Sequence, residues 1–214
     1  MGILRINGAS DSFIFAINKI RYMDKMSVSE GWVYIKQVES LFRNSYLDKL
    51  FVKYVKKVEG ARQIGLDLMP DVEESINEDY LTLHCQKSFI AIIPASLTGL
   101  GILGTFYGLL SGVGDIRFSS IDVVVESITM LVRGIDTAFY TSIAGVTLSL
   151  IFEIMTKLSW NHMITTMFNF YEEFHARIIP SESSQKELIR MDLYKKILAY
   201  IERDKDEEKE DKTE

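Results

Sequence analysis

The chain has a single cysteine, Cys85, which excludes an intramolecular disulfide. It is expected to be a buried thiol rather than a nucleophile. The three histidines, His84, His162 and His175, are scattered with no metal-ligand spacing, and His84 beside Cys85 is the only pair of note. There is no HExxH, no glycine-rich loop to cradle a phosphate and no Ser/His/Asp grouping, so neither a catalytic site, a metal site nor a cofactor is expected. Basic residues are outnumbered: 24 Lys and Arg against 30 Asp and Glu leave a formal net charge of −6. Such a balance makes direct binding to nucleic acid a poor expectation, because affinity for a phosphate backbone needs a cationic face. Nor is a cleavable signal peptide expected, since the apolar run at 13–17 is too short and no small-residue cleavage site follows it.

Charge is also missing locally. Residues 88–113 contain no Asp, Glu, Lys or Arg, and residues 135–154 carry them only at the edges, as Asp136 and Glu153. Each run approaches or exceeds the roughly 20 residues that cross a bilayer core as a helix. A strand in a soluble core would stop after four to eight apolar residues, and a buried helix rarely stays uncharged on every face for so long. The expectation is an all-α membrane protein with two transmembrane helices, at about 89–113 and 135–154, accompanied by cytoplasmic helices. Of the 24 Lys and Arg, only Arg117 and Arg133 lie between the spans. By the positive-inside rule, both termini are expected in the cytoplasm.

The remaining chain divides around these spans. Residues 1–87 read as a cytoplasmic helical region: one helix over 12–26, a long amphipathic helix over 32–62, and a third over 71–87 that feeds into the first span as a rigid stalk. Between the spans, Ser119 or Ser120 can cap a helix over about 120–133, with Ile121, Val124, Val125, Ile128 and Leu131 as an apolar stripe along the membrane interface. The pore region is thus 88–155. Trp160, Met163, Met167, Phe170 and Phe174 continue at helical period into a cytoplasmic extension over 156–203, interrupted near Pro180 and ending in an amphipathic helix at 187–203. The Lys/Glu/Asp run 204–214 is expected to be a disordered, solvated tail.

Both spans carry small residues in register. Gly101, Gly104, Gly108 and Gly112 line the first, with two overlapping GxxxG steps, and Ala138, Ser142, Gly145 and Ser149 form one narrow stripe on the second. In hydrocarbon such residues let backbones approach, and the expectation is that many helices pack here, copy against copy. Hydroxyls accompany them: Thr105 shares a face with Thr98, Gly101 and Gly108, and Thr137 and Thr141 adjoin Ser142. Two uses are open, a hydroxyl-lined ion path or hydroxyls bonded back to their own helix carbonyls. Neither span holds an ionisable group near its middle, so any carboxylate for proton carriage must come from a partner. Pro94 sits about one turn inside the first span, where neighbouring groups must satisfy what it frees.

The segment IPASLTGLGILGTFYGLLSGVG at 93–114, followed by GIDTAFYTSIAGVTLSLIF at 134–152, resembles the pore region of the MotA/TolQ/ExbB proton channel family. Within that family, LTGLGILGTFYGL with TAFYTSIAG is most similar to the membrane subunit of an anti-phage defence system. The resemblance implies a ring-shaped homopentamer in the bacterial inner membrane around single-span partner subunits. Each partner would carry one intramembrane Asp and a peptidoglycan-binding domain, and the ring would couple proton flow to movement. It also implies that Thr105 matches the family's pore threonine and Ser142 its hydroxyl on the second helix. Family members have a further transmembrane helix before this pair, and the defence subunits a long cytoplasmic tail. The chain therefore reads either as a truncated form or as a short-tailed relative whose pore pair is complete in itself. The reading outside this function is a non-conducting helical membrane scaffold or assembly factor.

Overall fold

The computed structural model describes residues 2–23, 28–38, 40–114 and 120–211, with the side chains of 28–29 and 204–211 excepted. Among these residues the regular structure is entirely helical: α1 Gly2–Arg21, α2 Val28–Gln37, α3 Ser45–Gln63, a single 3-10 turn Val72–Glu74, α4 Glu78–Cys85, α5 Lys87–Gly114, α6 Ile121–Arg177 and α7 Glu182–Asp211. The first helix starts ten residues earlier than its periodicity suggested; Met26, expected as its end, lies outside the described residues, as do Asp115, Arg117 and Ser119. Two compact units result, one from residues 2–8 with 79–164 and the other from 9–78 with 165–211.

The helix expected over 32–62 is two helices, and side-chain chemistry at the join explains the break. Asn44 Oδ1 accepts from the backbone N–H of Tyr46 and Leu47, capping α3. Asp48, in the first turn, reaches back to accept from the N–H groups of Leu41 and Phe42 at 2.9 and 3.0 Å, and from Ser40 Oγ at 2.7 Å. Arg43 takes a positive φ of 52°. The loop thereby turns Leu41 and Phe42 inward, where they are 2% and 0% exposed. Phe42 meets Phe13 and Phe170 at ring-centroid distances of 5.6 and 5.0 Å, and Tyr54 and Phe51 pack on Phe174. This aromatic core belongs to the second unit, closed by Arg21 and Arg177 on Glu173 and by the Ser10–Thr166 hydroxyl pair.

The continuous stalk expected over 71–87 is replaced by the 3-10 turn, α4 and a break. Gln86 has a φ of 54°, a left-handed cap that ends α4, and its carbonyl then accepts from Phe89 and Ile90 as α5 begins. Arg5 of α1 donates to the carbonyl of His84 near that corner.

The amphipathic segment 120–133 is not a separate interfacial helix. It is the first part of α6, whose 57 residues run without interruption through the second apolar stretch to Arg177. No proline lies between Pro94 and Pro180 to stop it. Ser120 accepts from Val124 N at the start. Of the apolar stripe, Ile121, Val125 and Ile128 are 83%, 59% and 55% exposed, while Ser127 is buried and bonds to its own helix at Val123 O. At the other end, Trp160, Met163, Met167, Phe170 and Phe174 are all buried.

Pro180 follows α6, and α7 begins at Glu182, five residues earlier than expected; it stays helical to Asp211, through most of the run read as a disordered tail. Its apolar side chains, among them Leu193, Tyr194, Leu198 and Tyr200, are exposed along the helix.

Candidate functional site

Within the first unit, α5 and the 121–164 part of α6 meet along glycine. A methyl group built on Gly108 would stand 2.7 Å from the carbonyl oxygen of Gly134 and 2.8 Å from Ala138 N; one on Gly101 would stand 3.1 Å from Gly145 Cα. On Gly145 it would meet Gly101 Cα at 2.7 Å and Leu97 O at 2.9 Å. Gly112 faces Gly134 and Leu131, and Gly104 faces the side chain of Thr141. The two backbones are in contact along the seam, and at Gly108, Gly134 and Gly145 a Cβ would run into backbone atoms of the facing helix. The close approach expected between copies is therefore made within one chain. Gly134, in register with Gly108 and Gly112, was not singled out from sequence, because it lies outside the second apolar run; its spacing from Ala138 and Gly145 was the available signal.

The hydroxyls sit on this seam. Thr105 Oγ1 donates within reach of two carbonyls, Gly101 on its own helix at 3.1 Å and Ala138 on α6 at 3.3 Å. Thr141 Oγ1 lies 3.0 Å from both Thr137 O and Ala138 O, and Thr137 Oγ1 donates to Arg133 O at 3.0 Å. Ser149 Oγ crosses to the carbonyl of Pro94 at 2.9 Å, stitching α6 to the helix turn that proline disturbs. Ser142, half-buried on α6, makes no hydrogen bond among the described residues. Thr105, Thr141 and Ser142 are thus gathered around the middle of the seam, and Thr137 lies a turn beyond.

Away from the seam both helices present bulk. Leu103, Phe106, Tyr107 and Leu110 on α5, and Phe139, Tyr140 and Ile143 on α6, are each more than 60% exposed. In water so much contiguous apolar surface would be untenable; it suits lipid or other helices. Near the Lys87 end, a groove of about 880 Å³ opens between the helices, lined by Ile90, Pro94, Thr98, Ser149, Glu153 and Trp160 among others. Lys87 Nζ lies 3.9 Å over the Trp160 ring, and Lys157 pairs with Glu153 at 2.7 Å. Amphipathic Trp and Lys at a span end are interfacial anchors. Cys85, beside this edge, is fully buried, and burial pushes its thiol pKa up.

Two long, lipid-suited helices joined by a glycine seam, with hydroxyls but no charge along its middle, define a helical membrane subunit of channel type. Residues 43–172 match the model of the MotA/TolQ/ExbB proton channel family, and the chain belongs to that family. It is similar to the Zorya protein ZorA of Escherichia coli O139:H28, 31% identical over 101 residues, 47% of this chain and 13% of that protein. A second Zorya protein ZorA, from Escherichia coli strain Crooks, is 42% identical over 72 residues, 34% of this chain and 12% of that protein. The chain thus spans about an eighth of the length of these curated relatives.

Proposed function

We propose that the α5–α6 pair is the pore-lining element of a proton-driven motor in the bacterial inner membrane, acting in anti-phage defence. The observation that carries this reading is the uncharged seam with Thr105, Thr141 and Ser142 at its centre. A carboxylate supplied by a single-span partner helix would be neutral where the path is dry, and ionised where hydroxyls and water solvate it. Ser142 Oγ makes no hydrogen bond among the described residues, and Thr105 Oγ1 can exchange a carbonyl for an incoming acid. A hydroxyl donates to the carboxylate and accepts from the acid, so it serves both states. The assembly that fits is a ring of five copies around two such partners, with both termini cytoplasmic and the partners anchored to peptidoglycan.

The experiment co-expresses a Thr105→Val, Ser142→Ala double mutant with the single-span partner, confirms the complex by co-purification, and measures protection against phage. Assembly retained with protection lost is the expected result. Full protection would overturn the ion-path reading and leave a scaffold, in which the carbonyl bonds of Thr105, Thr137 and Thr141 serve packing alone.

A further inference from the structure

No local spacing in the chain points to a metal-ligand group, yet in the second unit Asp71, Glu73 and His175 each offer a donor atom, and these atoms all lie within 4.8 Å of one another. The histidine is 102 positions from its glutamate and was legible only as a scattered residue. We propose that these three side chains form a site for one divalent transition-metal ion of the zinc class, held at the join between α6 and α7.

The geometry begins with the imidazole. His175 Nδ1 lies 2.8 Å from the carbonyl of Ile179, which can only accept, so the Nδ1 proton is committed there. Nε2 then points at Glu73, 3.0 Å from both carboxylate oxygens. A lone pair facing a carboxylate at that distance requires a cation between them, a proton or a metal. Backbone-fixed Nδ1–H with Nε2 directed at the ion is the arrangement that orients metal-ligating histidines.

Asp71 completes the set. Its Oδ1 accepts from Glu182 N at 2.6 Å, which ties the carboxylate to the start of α7. Donor atoms around tetrahedral zinc stand about 3.3–3.5 Å apart, given bonds of about 2.0–2.2 Å, so a modest inward movement of Asp71 closes the shell. One nitrogen and two carboxylates select zinc, cobalt or manganese over calcium and magnesium, which favour all-oxygen shells, and leave a position for water.

A further observation comes from outside the cluster. Tyr54 is 0% exposed, and its hydroxyl makes no hydrogen bond among the described residues. The charges of Asp71, Glu73 and Glu74 act on that hydroxyl and, after burial, are the main causes that raise its pKa. A wholly buried phenol without a partner costs stability unless something polar meets it. In the proposed site, water on a bound ion would be such a partner. His175 is the least exposed of the ion pair, at 14% of its side chain against 40% for Glu73, so the ion enters from the glutamate side.

The test uses the full chain purified in detergent and stripped with chelator. Zinc chloride is titrated by calorimetry, and cobalt chloride by visible absorption. The expected result is one ion per chain, with a cobalt spectrum free of thiolate charge-transfer bands. Glu73→Gln and His175→Gln should weaken binding by at least about tenfold. Asp71→Asn should weaken it too; the amide oxygen still caps Glu182, so this variant separates ligation from folding. Absence of stoichiometric zinc binding to the wild-type chain would overturn the proposal and leave a proton between His175 and Glu73. So would a thiolate band, or binding unchanged in Asp71→Asn and Glu73→Gln, since either places the ion elsewhere.

Discussion

At the scale of single residues, the seam hydroxyls separate by what they already hold. Thr105→Val removes a donor shared between two carbonyls, one of them across the helix pair, and should cost about 0.6 kcal/mol, the average for such bonds within membranes. Ser142→Ala removes no hydrogen bond among the described residues, so its melting temperature in detergent should match wild type. Both are expected to abolish ion-coupled output when combined, and a Ser142→Ala protein that melts well below wild type would show instead that Ser142 is a packing residue. Cys85 offers a second residue-level expectation. Being fully buried with a raised pKa, it should resist maleimide at neutral pH in folded protein and react once the chain is denatured. Rapid labelling of the folded chain would contradict the packing described for α4.

At the scale of elements, glycine decides whether α5 and α6 pair at all. Gly108→Leu would drive a side chain into Gly134 O and Ala138 N, both backbone atoms that cannot rotate away. The helix pair should open and the chain fail to accumulate in membranes, rather than survive as a dispersed monomer. Gly99 is the matched control, with nothing within 4 Å of a built methyl group; Gly99→Ala should accumulate and melt like wild type. Immunoblots of membrane fractions compare the two, and normal levels of Gly108→Leu would refute the seam. The same logic applies to the α2–α3 loop. Asp48→Ala strands the N–H groups of Leu41 and Phe42 and should cost about 1–3 kcal/mol by thermal melt.

The elements also show what sequence could convey. Length and missing charge marked both spans, and the small-residue stripes marked the faces that meet, because hydrocarbon imposes those requirements on any sequence. What the stripes could not convey was the partner: a GxxxG face fits another copy or the next helix of the same chain equally well, and only the register of Gly101 with Gly145 and Gly108 with Gly134 distinguishes them. Apolar period likewise ran through 32–62 as though one helix, since the break depends on Asp48 reaching back six to eight positions. Asp71, Glu73 and His175 were invisible for a plainer reason: no local spacing connects residues that tertiary folding alone brings together.

At the scale of the whole molecule, α5 and α6 use their small faces on each other, so the proposed ring of copies would associate through the bulky ones. Leu103 and Leu110 on α5, and Phe139 and Ile143 on α6, are the exposed candidates. A ring is built from heterologous contacts, in which one surface of a subunit meets a different surface of its neighbour. The α5 face of one copy should then abut the α6 face of the next. Cysteine pairs test this in a Cys85→Ser background: Leu103→Cys or Leu110→Cys combined in one chain with Phe139→Cys or Ile143→Cys, oxidised in native membranes. The double variants should give a ladder that ends at the ring size, expected to be five, while each single variant stays monomeric because identical positions on neighbouring copies do not meet. A two-fold interface would instead bring like positions together and yield dimers from single cysteines. Dimers from the single variants, with no ladder from any pair, would refute the ring and with it the arrangement in which several copies could surround a partner's acid.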